Sequence, residues 1–211
     1  MISNGFKKIL KKTMVLGTIM TVSVSMVACG GKKKNKGTEN ETVAVSTETS
    51  SGESENTVAS LGITYKGDGY TISAPTNWAD AKTSNESLDL MIYDTDITGD
   101  FARNLNIIIE DLSSYSAMNS EKYLEAANTK LIQTGYVIDE TGSIQINGED
   151  ATYLVYNYTT NGYTIKGLQT YIYDADNKQV YVITFACSND EFDEHRSEGE
   201  EIISSFLFDK E

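Results

Sequence analysis

INGEDATYLVYNYTTNGYTIKGLQTYIYDADNKQVYVITFAC, residues 146–187, carries the strongest strand and turn signals of the chain. Two Asn-Gly pairs, Asn147-Gly148 and Asn161-Gly162, punctuate runs rich in Tyr, Val, Ile and Thr. Asn-Gly readily takes the positive φ that a two-residue type I′ turn demands, so each pair predicts a β-hairpin. The first joins Ser143–Ile146 to a long strand, Glu149–Thr159. The second joins that strand to Tyr163–Tyr173. With Asn161 and Gly162 at the tip, 160 pairs with 163, 158 with 165, 156 with 167 and 154 with 169. Tyr156 then covers Gly167, which has no side chain of its own to pack. Strand residues alternate between faces. Leu154, Tyr156, Tyr158 and Ile165 share one face, and Tyr153, Val155, Leu168 and Ile172 share the other. Asp174–Lys178 turns the chain into Val180–Cys187, where Tyr181, Ile183 and Phe185 oppose Val180, Val182 and Ala186. A sheet that is apolar on both sides needs cover on both sides.

Outward from this stretch, Gly62–Gly67 and Tyr70–Ser73 flank an Asp68-Gly69 turn. Pro75 follows the second of these strands, where its missing N–H harms no ladder. Trp78, the single tryptophan, is expected to plug one end of the core. Leu88–Tyr93 and Leu105–Leu112 read as strands, the second with Leu105, Ile107 and Ile109 on one side and Asn106, Ile108 and Glu110 on the other. Asn119-Ser120 offers an N-cap. Tyr123, Leu124, Ala127, Leu131 and Ile132 follow at helical spacing, and Gly135 supplies a stop. This predicts a helix over about Glu121–Thr134. A closing helix over about Asp190–Ser205, capped by Asn189, has acids in its first turn. It turns Phe192, Ile202, Ile203 and Phe206 inward. The order of elements and the short hairpins predict an α+β fold, a mostly antiparallel twisted sheet with helices packed on both faces.

Several signatures together resemble a known family. They are Pro75-x-x-Trp78 after a strand, the NLNIIIEDL strand before a lone helix, INGEDATYLVYNY, LQTYIYDADNKQVYVITF, and a last helix ending in Ser205-Phe206. This combination resembles the PsbP-like fold, an α/β/α sandwich shared by the photosystem II protein PsbP, the Ran-binding factor Mog and DcrB-type bacterial lipoproteins. The resemblance spans nearly all of 61–211. It implies an accessory or binding role and not an enzyme, and carries over no binding residue.

The N-terminus reads differently. Lys7, Lys8, Lys11 and Lys12 precede the apolar run Met14–Val27, and Met26-Val-Ala-Cys29 follows the pattern of a bacterial lipobox. The expectation is a signal peptide over 1–28 and a lipid on Cys29. The protein would be exported and anchored by that lipid to the outer face of the cytoplasmic membrane. The apolar run is broken by Gly17, Thr18, Thr21, Ser23 and Ser25 and falls short of the ~20 residues that span a bilayer. Residues 29–60 lack aromatic residues and are rich in Ser, Thr, Glu and Lys. Such a segment buries too little apolar surface to fold and serves as a flexible tether with a reach of roughly 30 Å. The remaining 61–211 suits one domain.

Net charge excludes one class of partner. The whole chain carries −14, and its lysine clusters lie at 7–12 and 32–36. The domain is therefore more acidic than the chain. Such a surface repels nucleic acid and anionic headgroups; it favours basic partners or cations, or simply keeps the domain soluble, which is the preferred reading. Another envelope protein is the expected partner on the resemblance and on the lack of a catalytic motif. With two cysteines, one of them Cys29, neither a disulfide framework nor a Cys-based zinc site is available. Cys187 sits in an apolar strand and reads as a small core residue.

Candidate chemistry is sparse. Asp94-x-Asp96-x-Thr98-Gly99-Asp100 echoes the first half of a calcium loop, but its twelfth position is Leu105 where a bidentate Glu belongs. A solvated acidic turn is the preferred reading, and binding of a cation or small solute is the alternative. Asp94, Asp96 and Asp100 are the residues at stake. No cofactor is expected. His195 lies among acids on the last helix and reads as an exposed residue, with a hydrolase as the least favoured function. Tyr158, Tyr163, Tyr171 and Tyr173 are expected to form a partner surface, because tyrosine joins an apolar body to a polar tip.

Overall fold

The computed structural model describes residues 61–96, 101–115, 118–160 and 162–209. The segments read above as signal and tether, with Cys29, lie outside them, as do Asp100 and Asn161.

The N-terminal strands β1 (Leu61–Lys66) and β2 (Tyr70–Pro75) form a hairpin, and β10 (Leu207–Phe208) joins them in a small sheet of order β1-β2-β10. Gly69 supplies the positive φ, +78°, that the first turn needs. The main sheet comprises β3 (Trp78–Asp80), β4 (Leu90–Asp94), β5 (Asn104–Asp111), β6 (Val137–Ile146), β7 (Glu149–Thr160), β8 (Tyr163–Asp174) and β9 (Gln179–Ser188). Its order is β3-β4-β5-β9-β8-β7-β6, and every pair is antiparallel. Helix α1 (Ser120–Gln133) and helix α2 (Phe192–Ser204) complete the fold.

The register follows the turn chemistry. Thr160 pairs with Tyr163, Tyr158 with Ile165, Tyr156 with Gly167 and Leu154 with Gln169. At the other tip Asn147 and Gly148 have φ of 51° and 93°, as a type I′ turn requires. A Cβ on Gly167 would lie 2.6 Å from the Tyr156 ring, so the tyrosine does lie over the glycine.

Strand alternation divides the core in two. On one face Val155, Leu168, Ile172, Tyr181, Ile183 and Phe185 pack with Leu105, Ile107, Trp78 and the α2 residues Phe192, Ile202 and Ile203. The small sheet adds Tyr70 and Ile72, and Phe206 stacks on Tyr70 at 5.1 Å. On the other face Leu154, Tyr156, Tyr171, Val180 and Val182 pack with Ile108 and with Tyr123, Ala127 and Leu131 of α1. The two helices therefore cover opposite faces.

The differences from expectation have local causes. Asn119 caps α1 by accepting from the Lys122 backbone N–H, but Ile132 is 57% exposed, because it falls one position past the buried stripe at Leu131. The last helix opens as a 3-10 turn over Asn189–Glu191, and Asn189 does not cap it. Instead the Ser188 hydroxyl donates to Glu191 at 2.7 Å. Strand β6 begins at Val137, six residues before its expected start, and a bulge between Ile138 and Glu140 interrupts its alternation.

Candidate functional site

A network of polar side chains lies where β3, β4 and the start of β5 meet α2. Asp94 ends β4 and is 2% exposed. Its Oδ1 accepts from Asn77 Nδ2 at 2.8 Å and from the Asp96 backbone N–H at 2.9 Å. Its Oδ2 accepts from Arg103 Nε at 3.1 Å and pairs with the Arg103 Nη2 group. Arg103 Nη1 lies 3.6 Å from Glu198 Oε2 on α2. Glu198 in turn accepts the Trp78 indole N–H at 3.0 Å and faces His195 Nδ1 at 3.6 Å. The chain Asn77–Asp94–Arg103–Glu198 thus links the short edge of the sheet to α2, and the single Trp and single His both touch it.

Chemically, this network balances charge and is already satisfied. Arg103 compensates two carboxylates in a partly buried setting, and both Asp94 oxygens are occupied by protein donors. Asp94 is thus committed elsewhere as the first ligand of the half calcium loop. Asp96 is exposed on the adjoining turn. Among the described residues no three His, Cys, Asp or Glu side chains converge as a metal site. His195 is half-buried against Glu198, not exposed as expected from its acidic neighbours. Cys187 is buried, and burial pushes its thiol up to about 12, so it is protonated and unreactive at neutral pH.

A second network ties β6 to α2. The Arg196 guanidinium grips Glu140 with two nitrogens, at 2.8 and 3.1 Å, and donates to Glu200 at 2.7 Å. Tyr153 adds its hydroxyl to Glu140 at 2.7 Å. Arg196 and Tyr153 together hold the Glu140 carboxyl down to about 2. Nearby, Lys166 lies 3.4 Å from Asp139 and over the Phe192 ring at 5.1 Å. Arg103 and Arg196 escaped the sequence reading. The one signal in the sequence was that only two arginines stand against 31 acidic residues; the structure sets both against carboxylates.

The four tyrosines do not form one surface. Tyr171 is fully buried, edge-on to Tyr123 at 5.2 Å, with its hydroxyl donating to Gln169. Alternation along β8 points it at α1, which corrects its expected exposure. Tyr173 is half-buried on that same face. Tyr163, 38% exposed, lies eight residues back along β8 from Tyr171, about 26 Å away at strand rise. Tyr158 leans on Tyr136 at 4.6 Å, and burial raises both phenols above their ordinary value.

No helix among the described residues is long and apolar enough to cross a membrane. No family model matches the chain, and no curated protein matches it significantly. Solved structures do. Cyanobacterial PsbP (CyanoP) from Synechocystis sp. PCC 6803 superposes with a TM-score of 0.52 at 16% identity, covering 75% of this chain and 98% of that one. LpqN of Mycobacterium tuberculosis, which is involved in cell envelope biogenesis, gives 0.54 at 16% identity, over 67% of this chain and 83% of its own. At such identities the likeness concerns architecture, and no site residue carries over. With its antiparallel sheet between two helices, the chain has the PsbP-like α+β fold.

Proposed function

We propose that this protein is a lipid-anchored component of the bacterial envelope that works by binding another envelope protein and not by catalysis. The layout is a signal over 1–28, a lipidated Cys29 with a tether to residue 60, and one working domain over 61–211. The observation that carries the non-catalytic reading is the commitment of the reactive side chains to the fold. Asp94 is spent on Arg103, Glu198 holds Arg103 and Trp78, and Cys187 is a buried thiol. A general base needs its nucleophile within hydrogen-bond reach. The charged neighbour of His195 is Glu198, itself already engaged.

The test is affinity capture of the full-length chain from cross-linked, detergent-solubilised envelopes. The expected result is one protein recovered in fixed stoichiometry. A turnover activity that disappears in His195→Ala would overturn the reading. So would the lack of any partner together with a thermal shift caused by a small solute or cation.

A further inference from the structure

The main sheet ends in two edges. One is β3, three residues long, and the other is β6, with ten. An open edge strand invites pairing with another chain, and proteins blunt it with charge, proline or a bulge. On β6 those devices sit at one end: the bulge at Asp139 and the charge of Glu140. The rest, Thr141-Gly-Ser-Ile-Gln145, carries no charge and no proline in a chain of net charge −14. Thr141, Ser143, Ile144 and Gln145 are all exposed.

The direction of the backbone groups follows from the turn. A two-residue hairpin closes on a pair that exchanges both hydrogen bonds, here Ile146 with Glu149. Antiparallel alternation then bonds Ile144, Gly142 and Glu140 to β7. Thr141, Ser143 and Gln145 aim their N–H and C=O groups at the open side. The regular span between bulge and turn is 140–146, and its middle residue is Ser143.

We propose that β6 is a self-pairing edge, on which two copies of this chain join antiparallel about a twofold axis at Ser143. In that register Ser143 meets Ser143 of the second copy, and Thr141 meets Gln145. The outward-facing groups of each copy fall opposite one another. Gly142 meets Ile144, whose exposed side chain is set beside the ring that covers Gly142. Gly142 already carries the Tyr153 ring on that face, where a Cβ would come within 2.6 Å of it. Glu140 falls opposite Ile146, so acid never faces acid across the seam. An axis at Thr141 would bring in the bulge, and one at Gln145 would run into the Asn147-Gly148 turn. The uncharged seam is what lets so acidic a chain approach itself, and residual repulsion makes the pairing strengthen as salt screens it. The inference goes beyond the binding role proposed above and stands without it.

The experiment uses the full-length chain in detergent. Cross-strand Cα atoms about 5.5 Å apart lie within disulfide range. Ser143→Cys is therefore expected to form a disulfide dimer under mild oxidation. Thr141→Cys is not, since its mates would lie about 14 Å apart, and Thr164→Cys on the distant β8 serves as a second control. Cys29 and Cys187 are common to all three variants. In sedimentation velocity the parent chain should dimerise more as salt rises. Ser143→Pro should stay monomeric with unchanged circular dichroism, because the register aims the Ser143 N–H away from β7; should proline disturb the fold, Ser143→Lys gives the same reading. A Ser143→Cys chain that stays monomeric, cross-links no better than Thr164→Cys, or forms disulfides only with other proteins would overturn the proposal.

Discussion

Arg103 shows how one residue sets the stability of a corner of this domain. It neutralises a carboxylate, Asp94, that is 2% exposed, and lies beside a second one on α2. Removing one partner of such a pair leaves an uncompensated buried charge, which costs about 3–5 kcal/mol. Arg103→Ala is therefore expected to lower the urea-unfolding free energy by about 3 kcal/mol, while Arg103→Ala/Asp94→Asn recovers much of the loss. Glu140 behaves differently because it is partly open to solvent. Its carboxyl sits at about 2 in the fold against an ordinary 4.5, held there by Arg196 and Tyr153. A depressed carboxylate lends stability that is fully present above its unfolded value and is lost as pH falls through the folded one. The urea midpoint should thus decline as pH falls from about 4.5 towards 2, and Glu140→Gln should flatten that decline. An unchanged slope in Glu140→Gln would contradict this assignment.

Among the elements, the β6–β7 hairpin ties the sheet to the end of α2. Asn147 adopts a left-handed φ and donates its amide to the carbonyls of Ser204 and Phe206, at 2.9 and 2.7 Å. Asn147→Ala loses both bonds and strains the turn, for an expected cost of about 2 kcal/mol. Asn147→Gly relieves the strain and should cost less, which thermal melts of the two variants can compare. The same hairpins explain what the sequence made legible. A type I′ turn is local chemistry, so Asn147-Gly148 set the register of β6 against β7 and the second pair set that of β7 against β8. The first part of β6 was hidden, because the bulge at Asp139 breaks the period of two that marks a strand. Strands β3 and β10 were hidden because three and two residues carry no period at all.

For the whole molecule, legibility falls with sequence distance. The two-sided core could be read from the apolar faces of β7, β8 and β9, and the structure fills it from the helices expected. The Arg103 network could not, because Trp78 and Glu198 are 120 positions apart and neither belongs to a motif. Tyr171 failed as a surface residue for a related reason: exposure depends on which helix covers a face, and spacing alone does not say. An acidic surface is repelled by an anionic bilayer, so the proposed function assigns attachment to a lipid on Cys29. Intact-mass measurement of the full-length chain extracted from membranes tests that claim most directly. The expected product is a polypeptide that begins at Cys29, lacks residues 1–28 and carries the added mass of a diacylglycerol. A chain that keeps residues 1–28, or begins at Cys29 with a free thiol, would contradict it.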